Sequence, residues 1–265
     1  MLSYIASALL AVSAIASEAS YLKAGADWGT LETDNASWRL CQTGKHQSPI
    51  DLTTTDATIS EKMEVRGVNY YDVNQAQIDW SSEGDKSMAV MLTGRAGVYD
   101  TTAAQDALTA SATNSELQLT YDDGSKSFFE PIAFNFHSPS EHTVDGKAYD
   151  LEMQIAHVVK GSYDANGTPL LGAMISVFFD VDESKDTKNV FIDSLGATKE
   201  IAFINKNAPM ASFRSTDKSN IGIRTFLGNM DMGDFWSYEG SLTTPPCTEG
   251  IQWSVMKQVQ SLSAN

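Results

Sequence analysis

The chain has 265 residues, 42% of them hydrophobic, and a formal charge of −16 from 34 acidic and 18 basic side chains. That length suits one large domain whose core needs no metal staple, and the apolar content excludes disorder of the whole chain. The negative charge repels phosphate backbones and anionic membranes, so nucleic acid is set aside as a partner.

The first twenty residues read MLSYIASALLAVSAIASEAS, with an apolar stretch from Leu9 to Ile15. Ala14-Ile15-Ala16 supplies small residues at a cleavage-like site, so residues 1–17 read as a secretory signal peptide, although no Lys or Arg precedes the apolar stretch. The stretch is too short and too rich in serine to span a bilayer, and no later segment is apolar enough. The polar C-terminus carries no lipid-anchor signal. Composition is even from residue 20 to residue 265, without internal repeat or low-complexity linker, as one domain requires. Two cysteines, Cys41 and Cys247, behind a signal peptide suggest one disulfide. Asn35-Ala36-Ser37 and Asn166-Gly167-Thr168 are acceptor sequons for glycosylation. All of these features point to an oxidising compartment, secreted or within the secretory lumen.

Strand-like alternation dominates the rest of the chain. It recurs at Gln77 to Trp80, Glu116 to Tyr121, Ala133 to His137, Glu152 to His157 and Gln252 to Val255. Leu170 to Val181 is apolar almost throughout and reads as a central strand. Asp122-Asp123-Gly124, Asp145-Gly146 and Asn166-Gly167 signal turns between them. Helical patterning is sparse: Asp193 to Leu195 and Ile221 to Leu227 fit short helices. The expected class is mainly β (α+β), with a large, twisted, mostly antiparallel central sheet and a few short peripheral helices.

Gln47 to Asp51, Ser140 to Thr143, Glu152 to His157 and Trp236 to Cys247 together resemble one family, the α-type carbonic anhydrases. Gln47-Ser48-Pro49-Ile50-Asp51 is similar to its QSPI segment, and Ser140-Glu141-His142-Thr143 to its SEHT segment. Glu152 to His157 resembles its ExHxxH strand, and Trp236 to Cys247 its active-site gate segment, with Trp253 at the expected distance beyond. The resemblance runs from about Asp27 to Lys257 and implies that fold. Secreted members join a cysteine before QSPI to one after TTPP, which implies a Cys41–Cys247 pair. The family continues beyond the Trp253 strand with further segments, so either this domain is short at its C-terminus relative to the family or the sequence is incomplete.

The resemblance also implies a chemistry. The family hydrates carbon dioxide on a zinc held by three neutral imidazoles, which lowers the pKa of bound water to about 7. Two ligands come from one strand as HxH, and here those positions read Asn135-Phe136-His137; the third reads Gln154. Asn135 and His137 share a face, as do Glu152 and Gln154. Amide oxygens bind zinc far more weakly than imidazole, so no zinc cofactor is expected with His137 as the one surviving ligand. His142 and His157 match buried framework histidines, and His46 has no second ligand near it in the sequence. Thr243 matches the gate threonine, whose hydroxyl accepts from zinc hydroxide and donates to a glutamate, here Glu141. Glu152 matches the acid behind the third ligand, with His142 beside it in that outer shell. Ala156, Leu242, Thr244 and Trp253 match the pocket wall. Near Gly84, where active members often carry a shuttle histidine, Asp85 or Lys86 stands instead.

The expected function is therefore a secreted carbonic-anhydrase-like protein without hydratase activity, serving a binding or structural role toward an unidentified protein or matrix partner. Two other readings remain open: an active carbonic anhydrase, with zinc in a rearranged site or another metal held by Glu152, His137 and Gln154, and a binder of anions or small molecules in the retained cone.

Overall fold

The computed structural model describes residue 28 and residues 39–55, 57, 64–66, 78–82, 87–92, 116–163, 169–182, 188–194, 213–215 and 223–263. The expected leader over 1–17, both sequons (Asn35 and Asn166), the Asn166-Gly167 turn and the stretch Gly84, Asp85, Lys86 lie outside these residues.

In chain order the elements are α1 (Leu40–Thr43), β1 (Asp51–Leu52), β2 (Glu64–Arg66), β3 (Ile78–Ser82), β4 (Ser87–Leu92), β5 (Leu117–Thr120), β6 (Lys126–His137), β7 (Thr143–Val144), β8 (Lys147–Ala148), β9 (Leu151–Tyr163), β10 (Pro169–Val181), α2 (Val190–Ser194), β11 (Phe213–Ser215), α3 (Ile223–Gly228), β12 (Phe235–Ser241) and β13 (Glu249–Leu262). Among the described residues, ten strands form one sheet in the order β11-β3-β4-β6-β9-β10-β13-β12, with β5 also on β6 and β2 on β5. Every pair in it is antiparallel except β10 with β13. A small second sheet, β1-β7-β8, is paired separately and packs Leu52 and Val144 into the cluster formed by β10 and β13. The class is the mainly β one expected from the alternation.

Both faces of the sheet's centre are covered, which explains the nearly continuous apolar run of β10. One face carries Phe134 and Phe136 of β6, Met153 and Ile155 of β9, and Ile175 and Val177 of β10, all buried against α2 and α3 through Phe191 and Leu227. The other face carries Met174 and Phe178 of β10 with Ile251, Trp253 and Val255 of β13. Strand alternation then puts Asn135, His137, Glu152, Gln154 and Ser176 on this second face, so polar side chains sit beside an apolar cluster. The register aligns them: Asn135 pairs with Gln154, His137 with Glu152, and Gln154 with Ser176.

The segment before β1 is tied to the loop joining β12 and β13. Cys41 and Cys247 form a disulfide with Cα atoms 5.0 Å apart. The Glu249 carboxylate accepts from the backbone N–H groups of Lys45 and His46, at 2.5 and 2.6 Å, and from Gln47 Nε2 at 3.1 Å. Those donors hold its pKa below the usual carboxylate range, the His46 N–H most and then the Gln47 amide. Gly240 lies against the same segment: a Cβ there would meet Ser48 Oγ at 2.2 Å, so only glycine fits without a shift.

Candidate functional site

The site is a set of polar side chains on the second face, closed over by the loop 242–248. Glu152, fully buried on β9, is its anchor. Its Oε2 accepts the backbone N–H groups of Glu141 (2.8 Å) and His142 (2.9 Å). Its Oε1 accepts from His142 Nδ1 (2.7 Å), Ser176 Oγ (2.7 Å) and Gln154 Nε2 (3.2 Å). Burial alone would raise the Glu152 pKa, but the electrostatic and hydrogen-bonding contacts of His142, then Ser176 and His137, hold it down at about 2. The carboxylate is ionised throughout the physiological range.

From Glu152 a chain of hydrogen bonds runs to the first segment of the fold. Tyr238 OH lies 2.6 Å from His142 Nε2 and 2.8 Å from Ser48 Oγ. Burial raises the Tyr238 pKa above the ordinary value, with the Glu152 and Glu141 charges adding to it and the Ser48 bond opposing. The protonated hydroxyl bridges His142 Nε2 and Ser48 Oγ, able to donate to one and accept from the other. Ser48 Oγ in turn accepts from the Ser241 N–H at 3.0 Å, while Ser48 N–H donates to Ser241 Oγ at 2.9 Å. No donor or acceptor in this chain is left over, as a buried network requires.

The three positions that match metal ligands are arranged differently from a metal site. Asn135 Nδ2 lies 2.6 Å from His137 Nε2. An amide nitrogen only donates, so the ring nitrogen spends its lone pair on it. The other ring nitrogen, Nδ1, is buried without a hydrogen-bond partner and lies 3.4 Å from Glu141 Oε1. Gln154 Nε2 donates to Glu141 Oε2 at 2.9 Å, and Gln154 Oε1 accepts from Thr243 Oγ1 at 3.5 Å. Thr243 is thus connected to Glu141 through the Gln154 amide. Zinc needs free lone pairs from imidazole, thiolate or carboxylate in tetrahedral array, and the donors at these three positions do not fit it. Among the described residues, no group of three or more His, Cys, Asp or Glu side chains is placed to hold a metal ion.

The remaining expected residues divide. Ala156 and Leu242 are half-buried, as is Thr244. Trp253 is wholly buried, donates Nε1–H to the Ser241 carbonyl at 2.9 Å and meets the His142 ring edge-on at 4.8 Å, so it forms the floor beneath the polar centre. His157 is buried on the opposite parity from Gln154, and burial lowers its pKa to about 3, against hydrogen bonding with the Ile155 and Ala173 backbones. Ser48, Ser176, Tyr238 and Ser241 were not singled out from the sequence. Ser176 had one signal, a lone hydroxyl in an otherwise apolar strand.

Comparison with known proteins agrees with this architecture. Residues 27–265 match the eukaryotic-type carbonic anhydrase family. The α carbonic anhydrase 8 of Arabidopsis thaliana is 27% identical over 91% of this chain, which spans 50% of that relative's length. A carbonic anhydrase of Klebsiella pneumoniae is 29% identical over 98% of this chain and 85% of its own. The solved α-carbonic anhydrase of Thermovibrio ammonificans superposes with a TM-score of 0.57 at 25% identity, covering 91% of this chain and 82% of that one. With the match extending over nearly the whole chain, and with the sheet that such matches imply, this protein belongs to the eukaryotic-type carbonic anhydrase family.

Proposed function

We propose that this protein is a secreted carbonic-anhydrase-like protein that does not hydrate carbon dioxide and serves a binding or structural role. The observation that carries the reading is the bond from Asn135 Nδ2 to His137 Nε2. It occupies the lone pair of the one histidine left at the three ligand positions. Two carboxamides complete the set, and neither activates water as a zinc ion does. The Cys41–Cys247 bond and the leader-like N-terminus support an oxidising, extracellular destination. The acidic surface keeps such a protein soluble at high concentration, which suits a protein or matrix partner rather than a nucleic acid.

The test is metal content together with a carbon dioxide hydration assay on the full chain, purified without chelator. The expected result is far less than one zinc per chain and no rate above the uncatalysed one. Stoichiometric zinc with hydration overturns the reading.

A further inference from the structure

We propose that the Gln154 carboxamide is itself the cross-link of this centre, binding together three segments at the position where the family resemblance places a metal. The inference rests on the proposed unmetallated site.

A carboxamide has two N–H donors and a carbonyl acceptor. In Gln154 all three are used. The nitrogen donates to Glu141 Oε2 at 2.9 Å and to Glu152 Oε1 at 3.2 Å, and the oxygen accepts from Thr243 Oγ1 at 3.5 Å. Glu141 belongs to the turn after β6, Glu152 to β9 itself and Thr243 to the loop after β12. Gln154 is 1% exposed, so water has little access to these groups. The decisive feature is the pair of carboxylates. Two such groups brought close together in a poorly solvated site repel each other, and each gains from a donor placed between them. A neutral imidazole at this position has one N–H and can satisfy only one of them. Glutamine offers two diverging N–H groups and satisfies both. The centre is therefore closed by its own side chains: Asn135 caps His137, and Gln154 clasps Glu141 to Glu152 while reaching the loop.

Solution NMR of the uniformly 15N-labelled full chain tests this directly. The Gln154 side-chain NH2 pair is identified by its disappearance in Gln154→Leu. Two bonds to carboxylates should slow its exchange with solvent by about 100-fold relative to a free glutamine amide. Equimolar zinc should leave the pair unmoved. Exchange at the rate of an exposed glutamine, or loss of the signals on adding zinc, overturns the cross-link. If Gln154→Leu does not fold, Glu141→Ala serves instead: removing one acceptor should speed exchange of a single protected pair by about tenfold. No responding pair overturns the proposal. Zinc quantification on the same sample separates the two readings. Bound zinc beside a protected amide refutes the proposed function and leaves the cross-link standing; no zinc beside a freely exchanging amide does the reverse.

Discussion

Asn135 and Gln154 are register partners on adjacent antiparallel strands, β6 and β9, and their side chains rise from the same face. Directly opposed residues in such a pair have Cβ atoms about 5 Å apart. His137 stands two residues along β6 from Asn135, on that same face. Side chains at these three positions therefore start from neighbouring points on one face and can reach one another above the sheet.

That proximity predicts that Asn135→His combined with Gln154→His creates a zinc site. The double variant should bind about one zinc per chain and hydrate carbon dioxide above background, because three imidazoles then meet and Glu152 already lies 3.2 Å from the side chain at 154. Each single change should stay largely empty, since two imidazoles and an amide make a weak site. Metal analysis after dialysis against a mild chelator decides it. A folded double variant without zinc would mean that the pairing does not aim the new rings at His137.

The disulfide joins residues 206 apart in the sequence. The chain-entropy model gives a closure of that length about 5 kcal/mol. Reduction should lower the midpoint of thermal unfolding by on the order of 10 °C in a domain of this size. Paired scans with and without reductant measure it. An unchanged midpoint would show that the Glu249 bonds to Lys45, His46 and Gln47 hold the two segments together unaided.

Acid should weaken the fold in two stages. His157 is neutral in the folded chain, its pKa lowered from 6.5 to about 3. The unfolded chain takes up that proton first, so the stability contributed by His157 is complete above pH 6.5 and declines as pH falls toward 3. Glu152, lowered from 4.5 to about 2, contributes fully above pH 4.5 and loses its share between 4.5 and 2. The difference in unfolding midpoint between the parent and His157→Gln, measured against pH, isolates the first stage. It should narrow steadily below pH 6.5. A difference independent of pH would contradict the assignment.

Gly240→Ala should cost about 1–3 kcal/mol, the usual penalty for forcing a methyl group into packed surroundings. The added carbon would meet Ser48 Oγ at 2.2 Å and Tyr238 Cε2 at 2.6 Å, displacing two adjoining members of the hydrogen-bonded chain that starts at Glu152. Denaturant titration reads the loss. Gly250→Ala is strained for a different reason, its φ of +85°, and meets no neighbouring atom, so it serves as a contrast in which Ser48 and Tyr238 stay in place.

The sheet was legible where alternation is undisturbed, as in Glu152 to His157, which lies in the first half of β9. It was less legible where alternation breaks. β6 begins at Lys126, well before the expected Ala133, because adjacent Phe128 and Phe129 and then Pro131 interrupt the pattern, and its pairing with β9 shifts register between Pro131 and Ala133. The parallel pairing of β10 with β13 had no local signal, since it joins strands distant in sequence. The site divides in the same way. Strand parity placed Asn135 with His137 on one face of their strand and Glu152 with Gln154 on one face of theirs; the register between the strands puts the two pairs together. Parity could not show that Asn135 turns its nitrogen onto His137, or that the gate hydroxyl of Thr243 meets Gln154 first, because those are choices of side-chain rotamer made among neighbours from separate segments.

The hydrogen bonds of Ser48 imply an order of assembly during synthesis. Its partners Tyr238 and Ser241 lie 190 and 193 residues downstream. A ribosome delivers residues at about 5–20 per second, so Ser48 waits on the order of ten seconds or more for them to emerge. Once residue 152 has been added, Glu152 and His142 can pair on the growing chain, while the tyrosine that completes their network does not yet exist. The centre is therefore among the last parts of the nascent protein to close, and a pause in translation before residue 238 would hold it open to whatever the surrounding compartment contains.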